Sequence, residues 1–137
     1  MAVEFGLRQI GVVRSLLTNR KGAPRQGYEG ASDAAIEIEP EFERGLDGVK
    51  AGDDVIVLTW LHQGRRDVLE VRPRNDPRNP ITGVFATRSP DRPNPIGLHR
   101  LRVTRVDGLR LEVRPLEAID GTPVVDIKPV LEQSNDG

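Results

Sequence analysis

The side chains able to do polar chemistry fall in several short stretches of this chain. Arginine forks, amides and carboxylates predominate among them, and these groups bind phosphates or carboxylates and orient polar ligands. The candidate residues are Arg25, Gln26, His62, Gln63, Arg88, Arg92, Asn94, Glu117, Asp120, Asp126 and Lys128. Their types favour a site that binds and positions a ligand.

Several other kinds of chemistry are excluded or disfavoured. The chain has no cysteine, which excludes disulfides, thiolate metal sites and a cysteine nucleophile. Its two histidines are far apart in sequence, so we expect no metal site. The sequence contains no glycine-rich dinucleotide loop, no phosphate loop and no Gly-x-Ser-x-Gly nucleophile motif.

The segment Gly83–Gly97 carries three of the candidates, Arg88, Arg92 and Asn94. Six of the chain's eleven prolines lie in Pro73–Pro95, and proline is incompatible with regular helix or central strand. A stiff loop that carries fixed cations is typical of a ligand-facing surface. A rigid crossover with solvated arginines is the alternative that composition leaves open.

Two predicted strands position the other candidates. Val55–Leu61 is the most hydrophobic run, and we expect a central strand buried on both faces that ends at His62 and Gln63. This polar pair is either a cap on a barrel rim or part of a site. Asp126 and Lys128 share one face of a last strand, and they form either a solvated ion pair or a site.

The remaining pattern predicts an all-β domain. Short alternating apolar runs are separated by glycine and proline turns, and closure into a barrel would remove the sheet edges. We expect one short amphipathic helix after Pro40, with Phe42, Leu46 and Val49 on its apolar face. The expected strands are Arg8–Arg14, Ala35–Glu39, Val55–Leu61, Val68–Arg72, Gly83–Arg88, a hairpin pair around Asp107-Gly108, and Val124–Lys128.

The dipeptide Asp107-Gly108 predicts the turn of that hairpin. A two-residue Asp-Gly loop would pair apolar with polar side chains. A three-residue loop over 106–108 pairs Val103 with Leu111 and puts the apolar side chains of both strands on one face. We therefore predict the longer loop, with Gly108 in the left-handed conformation.

Length and charge limit the class of protein. With 137 residues we expect one domain over 1–137, with a disordered tail at about 131–137. No apolar run suits a membrane helix and no signal-peptide pattern opens the chain, so we expect a cytoplasmic protein. Ten arginines and four acids between Arg65 and Arg105 would attract an anionic partner such as RNA, unless these arginines simply line the solvent side of strands.

Two long motifs resemble those of a known family. Gly83-Val-Phe-Ala-Thr-Arg-Ser-Pro-Asp-Arg-Pro-Asn-Pro-Ile-Gly97 and Asp120-Gly-Thr-Pro-Val-Val-Asp-Ile-Lys-Pro129 closely resemble the TrmO family, also called YaeB or TsaA-like. Gln9-Ile-Gly-Val-Val-Arg-Ser15 and Pro24-Arg-Gln26 are similar too, in the family's order. The resemblance covers nearly the whole chain, from about Gln9 to Pro129.

The resemblance implies a single-sheeted β-barrel, a homodimer with its cofactor site near the interface, and S-adenosylmethionine as cofactor. Characterised members methylate N6 of threonylcarbamoyl-modified adenosine next to the anticodon of certain tRNAs. The cofactor-binding residues that it implies are Pro24, Arg25, Gln26, His62, Gln63, Arg88, the backbone near Leu98, and Arg114, Pro115, Leu116 and Glu117. Asp126 and Lys128 match the Asp-Ile-Lys-Pro signature and would be the catalytic, substrate-orienting pair, while Arg88, Arg92 and Asn94 would face the substrate or RNA.

The chain departs from the family's pattern in places. Val130 follows Pro129 where an aromatic residue is common, and the run before His62 lacks the usual Ser-His-hydrophobic pattern. We also expect no extra C-terminal domain of the kind that longer bacterial members carry. Two other functions stay open: a methyltransferase of the same fold acting on another amine or small molecule, and a non-catalytic barrel that binds S-adenosylmethionine or RNA.

Overall fold

The computed structural model describes residues 2–18 and 33–131. The strands of this part of the chain are β1 (Gly11–Arg14), β2 (Ala34–Ile38), β3 (Asp54–Trp60), β4 (Glu70–Val71), β5 (Thr82–Gly83), β6 (Ile96–Asp107), β7 (Arg110–Arg114) and β8 (Pro123–Pro129). Six of them form a closed antiparallel barrel in the order β1, β2, β7, β6, β3 and β8, and β8 pairs back to β1. β4 and β5 pair with each other outside the barrel. The predicted all-β barrel is confirmed.

The hydrophobic core fills the inside of this barrel. Successive side chains of a strand point to opposite faces, so every second residue of a closed wall lies inside. The side chains with the least exposure include Val13, Ile36, Val57, Val103, Leu111, Val113 and Val124. Ile36, Val103, Leu111 and Val113 are apolar positions of the alternating runs from which their strands were predicted.

β3 is buried on one face only, and the prediction of a strand buried on both faces was wrong. Val55, Val57 and Thr59 point into the barrel and are buried. The alternate residues from Ile56 to Trp60 are half-buried on the outer wall. The outer wall is less buried because no second layer of secondary structure packs over it in the described residues.

The hairpin between β6 and β7 lies where the sequence predicted it. Its loop has two residues, Gly108 and Leu109, because Asp107 pairs with Arg110. Gly108 has the predicted positive φ, of 60°. The turn glycine was therefore identified correctly, whereas the three-residue loop was not.

The register of this hairpin also differs from the prediction. Val103 pairs with Val113 rather than with Leu111, and the register shifts between Val103 and Arg105. Thr104 is the extra residue of this β-bulge, and it places Val106 rather than Arg105 opposite the buried Leu111. A bulge within the longer strand thus replaces the longer loop.

The predicted short helix is a 3₁₀ helix over Pro40–Leu46, at the end of the barrel where β2 ends and β3 begins. Phe42, Leu46 and Val49 pack against the core, as expected from their spacing. A run of seven residues with two glutamates in its first turn closes this end of the barrel. No helix within the described ranges is long and apolar enough to cross a membrane.

The opposite end of the barrel is covered by residues 61–95, which leave β3 and return to its neighbour β6. This segment contains β4, β5 and 3₁₀ turns at Pro73–Asn75 and Val84–Ala86. The expected strands Val68–Arg72 and Gly83–Arg88 were therefore too long. The first barrel strand likewise begins at Gly11 rather than at Arg8.

Candidate functional site

A cavity of about 730 Å³ lies at the end of the barrel covered by residues 61–95. His62, Gln63, Arg88 and Glu117 all line it. They come from three separate parts of the chain: the end of β3, the loop before β6, and the connection from β7 to β8. The structure therefore brings together four of the residues that the sequence singled out.

A tight turn after β3 presents His62 and Gln63. The amide of Leu61 donates to the carbonyl of Pro95 at 2.7 Å, and the amide of Gly64 donates to the carbonyl of Leu61 at 2.8 Å. A Cβ on Gly64 would collide with the carbonyl oxygen of Pro90. Glycine is therefore needed where the proline-rich loop touches this turn.

Arg92 holds the loop that carries Arg88. Its guanidinium donates to the carbonyls of Thr87 and Ser89, both at 3.0 Å, and to that of Val84 at 2.8 Å. These bonds curl the chain around the guanidinium, which explains why the predicted strand does not continue there. Arg88 itself is exposed and makes no hydrogen bond or ion pair to a described residue. The predicted contact of Arg92 with nucleic acid stays a prediction beside this structural role.

Glu117 reaches the cavity from the connection between β7 and β8. Its Oε1 atom is buried. Of the four residues from Arg114 to Glu117, only Glu117 lines this cavity. Leu116 is in the core, with 3% of its surface exposed. Arg114 lies outside the barrel, with its Nε 3.2 Å from Asp33 Oδ1. Pro115 borders a separate pocket with Arg114.

His99 lines the cavity from β6, and sequence reasoning missed it. Its Nε2 lies 2.8 Å from Thr59 Oγ1. A Cβ on Gly97 would lie 2.5 Å from that oxygen and 2.9 Å from Nε2, so Gly97 makes room for the pair. Burial lowers the pKa of His99 from 6.5 to about 4, which keeps the imidazole neutral at physiological pH. The sequence signal that could have identified His99 is its position two residues before Leu101, on the inward face of β6.

We expect the free energy of unfolding to decrease as the pH is lowered, because His99 takes up a proton more readily in the unfolded chain than in the folded one. Between pH 6.5 and about 4 the unfolded chain binds a proton that the folded imidazole does not, so acid favours unfolding. The resulting loss of stability is roughly 2 kcal/mol at pH 4.5 and vanishes above neutral pH. Urea unfolding of the wild type and His99→Gln at pH 7.5 and 4.5 measures it. An equal acid-induced loss in both proteins would contradict the assignment.

Asp126, Lys128 and Leu98 lie on the outer wall of the barrel and do not line the cavity. Asp126 and Leu98 flank Leu58 on either side of β3. Lys128 Nζ is 3.5 Å from Asp126 Oδ2, and Asp126 Oδ1 accepts a hydrogen bond from the amide of Ile127 at 2.9 Å. The ion pair agrees with the prediction that Asp126 and Lys128 share a face. Their catalytic role stays a prediction.

Asn94 borders a different cavity, of about 840 Å³, between the N-terminal segment and the outer wall. Its Oδ1 accepts a hydrogen bond from Arg66 at 3.0 Å, and this guanidinium lies 5.1 Å from the centre of the Trp60 ring. Asp120 accepts a hydrogen bond from the amide of Ser15 at 3.1 Å and so ties the start of β8 to the end of β1. Neither Asn94 nor Asp120 lines the cavity of His62.

The predicted contacts Pro24, Arg25 and Gln26 lie outside the described residues. Leu17, which precedes them, lines the cavity. Among residues 2–18 and 33–131, no group of three or more His, Cys, Asp or Glu side chains is arranged to hold a metal ion.

The ten arginines between Arg65 and Arg105 differ in how far the fold uses them. Most of them are engaged by acids, carbonyls or an amide oxygen: Arg65, Arg66, Arg72, Arg78, Arg92, Arg102 and Arg105. Within the part of the chain that the structure describes, Arg74, Arg88 and Arg100 make no hydrogen bond or ion pair. Arg74 and Arg88 line the cavity, whereas Arg100 borders a separate pocket.

Comparison with known proteins adds to this geometry. A family model described as the tRNA-methyltransferase O N-terminal domain matches residues 12–136. The chain belongs to this family. A "Probable S-adenosyl-L-methionine-binding protein" of Archaeoglobus fulgidus is 51% identical over 123 residues, which are 90% of this chain and 33% of that protein. A protein of the same name in Methanothermobacter thermautotrophicus is 43% identical over 130 residues, 95% of this chain and 93% of its own length.

The solved structures with a similar fold are named for the same family. A crystal structure of TrmO has a TM-score of 0.78 and 32% identity, covering 98% of this chain and 61% of that one. A crystal structure of TrmO from Pseudomonas aeruginosa has a TM-score of 0.76 and 29% identity, covering 98% and 60%. This chain therefore spans about a third of the first relative and about three fifths of the TrmO chains.

Proposed function

We propose that this chain is a cytoplasmic S-adenosylmethionine-dependent methyltransferase that modifies N6 of threonylcarbamoyl-adenosine next to the anticodon of tRNA. The observation that carries the proposal is that one cavity collects His62, Gln63, Arg88 and Glu117. These are residues that the family resemblance implies for the cofactor. Relatives named for binding S-adenosylmethionine and structures named TrmO support it.

The cavity fits S-adenosylmethionine in size and charge. Its volume of about 730 Å³ lies within the usual range for small-molecule sites, roughly 300–1,000 Å³. Arg88 offers a fixed cation to the carboxylate of the methionine part, and Glu117 offers a carboxylate to its ammonium group. The neutral imidazole of His99 adds no positive charge beside a cationic sulfonium. When bound, this cofactor supplies an electrophilic methyl group.

The task of the protein is alignment more than proton transfer. Because the leaving thioether is neutral, methyl transfer from a sulfonium depends chiefly on in-line positioning of the acceptor amine. The bonds from Arg92 to the carbonyls around Arg88 hold this wall of the site before a ligand arrives. A carboxylate such as Asp126 would accept a hydrogen bond from the exocyclic amine and orient its lone pair.

We propose that a second copy completes the site. Leu98 and Asp126 lie on the outer wall, so one chain does not bring them to its own cavity. This wall is partly apolar, with Ile96 at 42% and Leu98 at 48% exposure beside half-buried Leu58. A homodimer that packs this wall against the partner's cavity would place Leu98 and Asp126 near the partner's cofactor.

Calorimetry with S-adenosylmethionine, followed by methylation of tRNA with and without the threonylcarbamoyl group, tests the function. We expect saturable heat at one cofactor per chain and methyl transfer to the modified tRNA alone. The absence of heat would contradict the cofactor assignment. Heat without methyl transfer to any acceptor would instead indicate a binding protein, which is all that the relatives' names state.

A second candidate function is methylation of a small amine by the same site. Ion pairs with acids at four of the arginines between Arg65 and Arg105 favour it, because each paired acid offsets a positive charge that would otherwise attract a long RNA. The free threonylcarbamoyl-adenosine nucleoside separates the two candidates. Transfer to the nucleoside at the rate seen with the modified tRNA would favour the small substrate.

A further inference from the structure

Arg74 lines the same cavity as Arg88, and its backbone adopts an unusual conformation. Its φ is 60° and its ψ is 19°, and the φ of the next residue, Asn75, is 54°. An L-residue other than glycine in this left-handed region costs about 1 kcal/mol or more, so the surrounding chain must hold it there.

The turn that contains Arg74 is fixed from both sides. The guanidinium of Arg72 donates to the carbonyl of Asn79 at 2.8 Å, and Asn79 Nδ2 donates back to the carbonyl of Pro73 at 2.7 Å. The amide of Asn75 donates to the carbonyl of Arg72 at 3.0 Å. These bonds hold the backbone of the turn, and with it the point from which the Arg74 side chain leaves, before any ligand arrives.

The arginines on either side of Arg74 are used by the fold, whereas Arg74 is not. Arg72 and Arg78, on either side of Arg74, are engaged by carbonyls and by Asp76. Arg74 makes no hydrogen bond or ion pair to a described residue, and the same is true of Arg88. The cavity is therefore lined by two arginines whose side-chain donors are not used by the described part of the fold.

We propose that Arg74, together with Arg88, binds an oxyanion of the acceptor substrate, a phosphate or a carboxylate, at the cavity. The inference rests on the proposed function for the identity of the acceptor, but the anion site itself does not depend on it. A planar guanidinium presents paired donors that match two oxygens of either group. Arg88 serves the carboxylate of the cofactor as well, so Arg74 is the group that distinguishes the acceptor. Its fixed backbone reduces the ordering cost of binding.

The anion site is tested without cofactor or RNA. Pyrophosphate is titrated into the whole chain while the arginine Nε–Hε resonances are followed by NMR. We expect the Arg74 and Arg88 signals to shift together and saturate, and the Arg100 signal to stay in place. No saturable shift at Arg74 would overturn the proposal even if the cofactor binds.

The acceptor is tested with an anticodon stem-loop RNA, with and without the threonylcarbamoyl group, by fluorescence anisotropy over a range of salt concentrations. We expect Arg74→Gln to weaken binding about tenfold. If the affinity for both RNAs falls, and the slope of log affinity against log salt concentration decreases in magnitude by about one, the result supports a phosphate contact. A loss confined to the modified RNA supports the carboxylate.

Two further variants keep the result interpretable. Arg74→Gly suits the positive φ and should lose binding as Arg74→Gln does, which excludes misfolding as the cause. Arg44→Gln removes one exposed charge away from the cavity and should bind as the wild type does. If Arg74→Gln leaves both RNAs unaffected, or weakens S-adenosylhomocysteine binding by as much as RNA binding, the proposal is wrong.

Discussion

Replacing Gly64 by alanine is expected to lower the free energy of unfolding by about 3 kcal/mol and to disrupt the cavity. The new Cβ would collide with the carbonyl oxygen of Pro90 and lie 3.1 Å from the carbonyl oxygen of Leu61 and from Pro95 Cβ. None of these atoms belongs to a flexible side chain, so the proline-rich loop itself must move. Urea unfolding measures the stability, and calorimetry with S-adenosylhomocysteine measures the site.

Gly45→Ala is the matched control for this substitution. No atom lies within 4 Å of a Cβ at Gly45, which is an ordinary exposed position of the 3₁₀ helix. We expect its stability to stay within about 0.5 kcal/mol of the wild type. Wild-type stability and cofactor affinity in Gly64→Ala would show that the close contact with Pro90 does not position the site.

Replacing Arg88 by glutamine is expected to weaken S-adenosylhomocysteine binding about 30-fold while leaving the fold intact. The loss corresponds to about 2 kcal/mol, typical of a charge-assisted hydrogen bond to a carboxylate. Stability should not change, since the Arg88 side chain makes no hydrogen bond or ion pair to a described residue. Calorimetry and thermal unfolding give the two readouts. Arg100→Gln, which removes a similarly available arginine outside the cavity, should bind as the wild type does.

Mixing two impaired variants extends this prediction to the proposed dimer. If Asp126 of one copy serves the cavity of its partner, a hybrid of Arg88→Gln and Asp126→Asn chains contains one site with neither substitution. At a cofactor concentration that does not saturate Arg88→Gln, methyl transfer should then increase on mixing, to at most about half of the wild-type rate per hybrid dimer. Wild-type activity in Asp126→Asn alone would contradict the orienting role, and a mixture no more active than its two parts would contradict the shared site.

The barrel was predictable from the sequence because its determinants are local. Alternation of apolar residues placed Ile36 and Ile38 inside, and Asp107-Gly108 marked the turn of the hairpin. The bulge at Thr104 was not predictable from alternation. It depends on a register shift against β7, which only the paired strands reveal.

The candidate site was proposed only through family resemblance. Closure of the barrel and the excursion of residues 61–95 bring His62, Arg88 and Glu117 together, and no spacing rule encodes that meeting. Arg92 shows the reverse case, a candidate ligand-binding residue that the fold itself uses. Composition marks it as a free cation, whereas three carbonyls of its own loop engage it. Which arginines are available to a ligand is a property of the tertiary structure.

The central claim is that the cavity beside His62 holds the cofactor, and a crystal structure with S-adenosylhomocysteine tests it most directly. We predict the ligand in the cavity at the end of β3, with its carboxylate at Arg88 and its ammonium group at Glu117. A ligand bound instead in the second cavity, between the N-terminal segment and Trp60, would contradict the assignment.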